Sequence, residues 1–535
     1  MLTGDRAVVT NRREVEVEAF ARTTSLLKSI GEFIVLVLAV GVGLVGWRYY
    51  FDAGLILSYN DAMSHLDISR RVVDGLHPGL AQIGSVWLPL PHVLMLPFIW
   101  NDFFWHTGLA GSIVSHLAFI GGAILLFRLT TKVTNDIIAG ILAALIFIIN
   151  PNMIYMQAIP MTESLLLFLF IASTYSFVTW QKSQDFRYLA LSALFIFLST
   201  LTRYDGWMLL LQMGIIVLLV SYRAGKWKKL EGNIVLFGTL ALFGVILWLV
   251  WNYLIFGDAL YFANGPFSAK SQQMVFEREG RLFSKGNLPY SAYIYGLAVL
   301  KNNGVFVTAL ATLGLVAYFI RKRFSNDFLA ATLLLSPFVF NVAALFFGHS
   351  IINLLEIPPH TLFNVRYGLM VLPAVAFFGS YLVAKQRFLQ LLVVIALLIQ
   401  TFFMVTQDGI ITVMDGVYGA SAQNAKETGE WIGKHTGSNG LILIAASSQD
   451  SLIFQSNLPM TRFIHEGTGD YWNSSLENPT KHAEYVAMHH GDLVYESLAT
   501  NQAFLENYIK VYDGEFTDIY QRGNPEKTLT KDDLP

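Results

Sequence analysis

The amino-acid sequence predicts a mainly α-helical, polytopic membrane bundle of about 11 transmembrane helices, followed by a small soluble α/β domain. Three observations predict it. The 535 residues are 54% hydrophobic and only 14% charged, against about 25% charged in soluble domains, and the mean hydropathy is +0.50. Apolar runs close to the roughly 20 residues needed to cross a bilayer recur from Gly31 to Val405. Past Val405 the chain turns polar with mixed charge. The chain contains no cysteine, which excludes disulfides, thiolate metal sites and a cysteine nucleophile.

Met1–Ile30 is too long and too mixed in charge for a cleavable signal peptide, so residues 1–30 are read as a cytoplasmic tail. The candidate spans are Gly31–Tyr50, Gly108–Leu129, Ile137–Ile149, Ser164–Trp180, Tyr188–Leu201, Trp207–Tyr222, Asn233–Phe256, Ser291–Ile320, Phe328–Phe347, Tyr367–Ala384 and Phe388–Val405. They form a domain over 31–405. Short basic connections alternate with long ones. Arg6, Arg12, Arg13, Arg22 and Lys28, then Arg128 and Lys132, Lys182 and Arg187, Arg223 to Lys229, Arg321 to Arg323, and Lys385 with Arg387 fall on one side. Basic connections stay cytoplasmic, so the N-terminus is expected inside a plasma membrane and the C-terminal domain, 406–535, outside. In that domain Leu441–Ala446, Tyr485–Met488, Asn507–Tyr512 and Phe516–Tyr520 read as strands, with a helical pattern over Ala422–Lys434.

The long outer connections carry the candidate chemistry. Ser58–Leu76 reads SYNDAMSHLDISRRVVDGL, with Ala62, Met63, Leu66, Val73 and Leu76 near helical spacing. Asn60 is placed to cap this interfacial helix, with Asp61 in its first turn and His65 one turn on. A helix N-terminus favours a carboxylate, which at a membrane surface can accept a hydroxyl proton or hold a metal. The alternative is a solvated polar face. Next comes GSVWLPLPHVLMLPF, where Pro89, Pro91 and Pro97 argue against a regular helix and for a re-entrant or interfacial segment holding His92. Glu163 opens the fourth span from the outside, as a capping carboxylate or a site residue. Arg203 and Asp205 share the tight turn LTRYDGW, either paired with each other or holding a phosphate through the planar guanidinium. His349, Glu356, His360 and Arg366 fall together in GHSIINLLEIPPHTLFNVRYG. Arg366 runs against the inside bias of basic residues and suits an anionic headgroup, or else snorkels to the interface. There is no Walker loop, no GxGxxG before a helix, no HExxH and no GxSxG, so neither nucleotide nor nucleic acid is an expected partner.

The first-loop carboxylate, the WLPLPH segment, the acid opening the fourth span and the TRYDGW turn together resemble the GT-C class of integral membrane glycosyltransferases. The protein O-mannosyltransferase and aminoarabinose transferase branch is the nearest likeness. The segments FIHEGTGDYW and KHAEYVAMHHGDLVY look like the outer domain of bacterial members. The resemblance implies a polyprenyl-phosphate sugar donor and inverting single-displacement transfer to the hydroxyl of a protein, lipid or glycan acceptor. It implies catalytic roles for Asp61 and Glu163. His65, His92, Arg203, Asp205, His349, His360 and Arg366 are the candidate substrate or phosphate contacts. WLPLPH lacks the Lys of the Lys-Pro-Pro motif of aminoarabinose transferases, and Asn60–Asp61 stands where many relatives have two acids. No cofactor is required on this reading. One alternative is a metal-dependent, oligosaccharyltransferase-like enzyme with Asp61, His65 and Glu163 holding Mg²⁺ or Mn²⁺. Another is a lipid-linked sugar flippase, against which stands the near absence of mid-span charge.

Overall fold

The computed structural model describes residues 4–535 apart from 226, 266–267, 279, 281, 408, 420–424, 524–528, 530–533 and 535. Helix α1 (Gly4–Asp52) joins the expected N-terminal tail and first span into one continuous helix. The first long loop folds into α2 (Asn60–Val73), α3 (Leu90–Ile99) and α4 (Asp102–His106). Then follow α5 (Leu109–Thr134), α6 (Ile137–Ile148), α7 (Pro151–Met156), α8 (Glu163–Ser183), α9 (Phe186–Thr200), α10 (Asp205–Arg223) and α11 (Trp227–Phe256). Among the described residues nine helices are long and apolar enough to cross a membrane. The protein is a multi-pass membrane protein. Helices α6 and α9 fall short of that length.

Three sequence expectations are corrected here. The long run Ser291–Ile320 is two helices, Leu288–Asn303 and Val305–Lys322, parted at Gly304, whose φ of 81° suits a residue without Cβ. Asn302 and Asn303 donate to the carbonyls of Val365 and Gly368 there, and Gln400 bonds both sides of the break. The proline-rich stretch does form a helix, because Pro91 lies in the first turn of α3, where no N–H is needed, and Pro97 lies close to its end. Asn60 is the first residue of α2 rather than its cap. The cap position belongs to Tyr59, whose buried phenol instead donates to the Thr412 carbonyl at 2.7 Å.

The C-terminal segment builds one five-stranded sheet from β1 (Leu441–Leu443), β2 (Phe463–Ile464), β3 (Ala483–Met488), β4 (Tyr508–Tyr512) and β5 (Asp518–Arg522), in the order β2-β1-β3-β5-β4. β1 runs parallel to β2 and β3, and β5 is antiparallel to β3 and β4. β1 is shorter than the apolar run LILIAA suggests, because its last residue passes into helix Ala446–Gln455. β2 has two residues, too few for any periodicity to reveal. The expected Ala422–Lys434 helix appears as Lys426–His435, and its first residues lie outside the described ones.

This sheet domain sits on the first-loop helices. Met63 and Leu66 of α2, Met95 and Ile99 of α3 and Trp105 share one buried cluster with Ile432, Phe454 and Tyr485. Arg71 pairs with Asp450 at 2.9 Å, and the Trp105 indole donates to Asp67 at 3.0 Å. Burial, with the Asp450 charge adding to it, holds the Asp67 carboxyl well above the usual range. Burial likewise pushes Asp450 up to about 6 against the pull of Arg71. The folded state therefore binds protons that the unfolded chain, with aspartate near about 3.9, releases. Stability from this contact is present below about pH 4 and is lost as pH rises through about 6. Asp67→Asn removes one of the two facing carboxylates. It is expected to flatten that loss and to raise the melting temperature near pH 7.5 above that of the wild type. An unchanged pH slope in thermal unfolding would contradict the assignment.

Candidate active site

Four separate segments bring charged side chains to one place. Asp61 comes from the first turn of α2, Glu163 from the first residue of α8, Arg203 and Asp205 from the turn between α9 and α10, and Arg366 from the 3-10 turn Val365–Val371. Arg366 Nη2 donates to Asp61 Oδ2 at 2.5 Å, and its Nε donates to Glu163 Oε1 at 3.2 Å. The same Glu163 oxygen accepts from Arg203 Nη1 at 3.1 Å. Arg203 Nε donates to Asp205 Oδ2 at 3.2 Å, and its Nη1 also reaches Thr162 Oγ1 at 3.1 Å. The Tyr367 ring lies 5.0 Å from the Arg203 guanidinium and 5.2 Å from that of Arg366, and Tyr59 packs against Arg366 at 4.8 Å.

Burial sorts these groups. The Glu163 side chain is 0% exposed and that of Arg366 is 3%, whereas Asp61 is 33% exposed. Arg366 thus faces inward and does not snorkel. Arg203 and Asp205 do pair with each other, as the blander reading of their turn proposed, but Arg203 also joins Glu163. Two guanidinium groups on one buried carboxylate compensate charge where water cannot.

The structure also shows what the sequence did not. Asp415, in the short helix Ile411–Tyr418, has its Oδ2 3.9 Å from Arg366 Nη1 and 3.1 Å from the Tyr59 hydroxyl. Tyr59, Tyr367 and Asp415 were missed. The only signal for Asp415 was a single acid in the apolar run ITVMDGVY, past the last expected span.

The histidines divide. His65 and His92 meet in a buried pair, Nδ1 to Nε2 at 2.9 Å, with the Trp87 ring centred 4.2 Å from His65. Neither α2 nor α3 is among the nine long apolar helices. Burial pushes the His65 ring well below its ordinary range, with the His92 ring adding to it, and takes His92 down to about 3. The pair is neutral, with one N–H shared between the rings. His349 and His360, by contrast, are exposed. His360 Nδ1 lies 2.8 Å from the Leu355 carbonyl, and Glu356 pairs with Lys301 at 2.5 Å. Of the four residues expected together in that loop, only Arg366 enters the charged cluster.

The alternative cation set is not assembled. Asp61 faces Arg366, Glu163 lies between two guanidinium groups, and His65 is bonded to His92. Among the described residues no three His, Asp or Glu side chains are grouped to hold a metal ion. A divalent cation at Glu163 would sit against two positive groups, so the residues in this arrangement do not fit one.

Removing Glu163 leaves the buried Arg366 and the half-buried Arg203 without their shared acceptor. Glu163→Ala is expected to cost about 3 kcal/mol, read as a lowered melting temperature in detergent. A shift under about 2 °C would show that other groups hold the two arginines.

No protein-family model matches the chain, and no curated protein sequence does. Solved structures do match. ArnT from Cupriavidus metallidurans bound to undecaprenyl phosphate superimposes with a TM-score of 0.58 at 13% identity, covering 92% of this chain and 99% of that one. The same protein in its apo state gives 0.54 at 12% identity, with the same coverage. The Archaeoglobus fulgidus oligosaccharyltransferase in its apo form gives 0.52 at 12% identity, covering 94% of this chain and 75% of that one. The expected architecture, a membrane helix bundle with an appended α/β sheet, is thus the GT-C fold.

Proposed function

We propose that this protein is a membrane glycosyltransferase of GT-C type. It moves a sugar from a polyprenyl-phosphate donor to an acceptor hydroxyl on the outer face of the membrane. Its main support is a pair of guanidinium groups, the buried Arg366 and the half-buried Arg203, held beside Asp61, the most exposed carboxylate of the cluster. The likeness to ArnT, whose crystal structure holds undecaprenyl phosphate, agrees with a lipid-linked donor. The short basic connections support a reading with the N-terminus inside and the C-terminal sheet domain, seated on α2, outside.

The chemistry follows from charge. The acceptor oxygen attacks the anomeric carbon from the face opposite the phosphate, and its proton passes to the Asp61 carboxylate. The new carbon–oxygen bond forms as the bond to the phosphate oxygen breaks, and that oxygen leaves with the electron pair. Positive groups at the leaving phosphate lower the barrier because they stabilise charge that grows during the step. Arg203 and Arg366 fill that role. Before the donor arrives Asp61 is tied to Arg366. A phosphate that takes Arg366 releases Asp61 to act as base. Glu163, with no exposed surface, holds the two arginines rather than the acceptor. His65 is fixed by His92 and stands one turn from Asp61, placed to donate or accept a neutral hydrogen bond at the sugar.

An apolar furrow supports this reading as a seat for the lipid tail. It has a volume of about 530 Å³ and is lined by residues of α1 from Val37 to Tyr50 and by Ile154 of α7. Tyr50 at its end contacts Tyr155 at 4.8 Å, and Tyr155 lies 6.4 Å from Tyr59, which packs on Arg366. A chain of rings thus leads from the furrow to the guanidinium groups.

The test is incubation of the protein in liposomes with a panel of polyprenyl-phosphate sugars, with release of polyprenyl phosphate as the readout. Asp61→Asn is expected to lower turnover at least about 100-fold without a change in melting temperature. Near-normal turnover in that variant would remove Asp61 from the role of base.

A further inference from the structure

The phenol of Tyr59 has one hydrogen and two close oxygen neighbours. It lies 2.7 Å from the Thr412 backbone carbonyl and 3.1 Å from Asp415 Oδ2. A phenol donates one hydrogen bond, and a carbonyl can only accept. The 2.7 Å separation is the normal O–H···O length, so the phenol hydrogen belongs to Thr412. The contact with Asp415 then needs a hydrogen from the other side. A carboxylate has none to give, whereas a carboxylic acid has one.

Arg366 supplies a second, independent observation. Its guanidinium closes to 2.5 Å on Asp61 and 3.2 Å on Glu163, yet its Nη1 stays 3.9 Å from Asp415 Oδ2. That Nη1 is buried and has no hydrogen-bond partner. A buried guanidinium N–H facing a carboxylate would close to about 2.7–2.9 Å. The local charge count points the same way. Asp61, Glu163, Asp205 and Asp415 surround only Arg203 and Arg366.

We propose that Asp415 is a neutral, proton-bearing positioning acid that donates to Tyr59, and that by not pairing with Arg366 it leaves the Arg366 Nη1 hydrogens free for an oxygen of the donor phosphate. The first half of this stands on the geometry alone, and the second rests on the glycosyltransferase reading above. Asp415 reaches the site from Ile411–Tyr418, which closes the last long apolar stretch and precedes the sheet domain, so that segment takes part in building the phosphate contact.

The test uses the full-length protein in detergent, with undecaprenyl phosphate as the probe. The infrared spectrum is expected to show a carboxylic-acid C=O band that Asp415→Asn removes. Should that variant fail to fold, Tyr59→Phe serves instead, and is expected to shift the band by removing its hydrogen-bond partner. Asp415→Ala is expected to weaken probe binding by about tenfold, and Asp415→Asn, which keeps a neutral donor, to recover most of the loss. Absence of such a band, or Asn binding no better than Ala, would overturn the proposal. A wild-type protein that does not bind the probe at all would overturn the lipid-phosphate role, while the infrared band would still decide the protonation of Asp415.

Discussion

The structure depends on keeping two positive charges out of water. Arg366 and Arg203 are anchored on Glu163, whose side chain has no exposed surface. An uncompensated charge at such a depth costs several kcal/mol, and the partners repay it only when their geometry is good. Here the two arginines and their partners come from four separate segments, at position 61, position 163, positions 203 and 205, and position 366. The ends of α2 and α8, the turn before α10 and the Val365–Val371 turn must therefore meet at hydrogen-bond distance. A small shift of any one of them would strand a charge. The network thus acts as a register for these ends of the bundle.

Helix α2 connects this network to the sheet domain. Its first turn presents Asp61 to Arg366, while Met63 and Leu66 enter the core shared with the sheet domain. Its last turn is held twice. Arg70 donates to the carbonyls of Ile99 and Trp100, both at 2.9 Å, and Arg71 reaches Asp450. Tyr59, just before the helix, ties it to the Ile411–Tyr418 segment. The position of the Asp61 carboxylate is in this way set from three sides, by the bundle, by α3 and by the sheet domain. That arrangement leaves the carboxylate little freedom to move within the charged network.

The described spans differ in burial. Helix α8 is enclosed by its neighbours, whereas α11 and the Val305–Lys322 helix leave most of their apolar residues exposed, as lipid contact requires. Small residues let neighbouring helices approach closely. A side chain at Gly314 would run into the Phe378 backbone, and one at Gly206 into that of Ser199.

Composition and the order of apolar runs determined the membrane bundle, the polar domain after Val405 and most helix positions, because hydrophobic burial acts on local stretches that periodicity can reveal. The same local logic picked out Asp61, Glu163, Arg203 and Arg366 as charged residues in unusual places. It could not show that these four meet, since hydrogen bonds between distant residues leave no trace in spacing. It grouped His349 and His360 with Arg366 because they are neighbours in sequence, while the fold turns both to the surface and draws Arg366 inward. It passed over Asp415, whose meaning comes from a phenol more than three hundred residues earlier in the chain. It read one helix where Gly304 separates two, because a φ of 81° becomes necessary only once Asn302, Asn303 and Gln400 have their partners. The tertiary structure alone decided which charges are buried together, and that decides which of them can do chemistry.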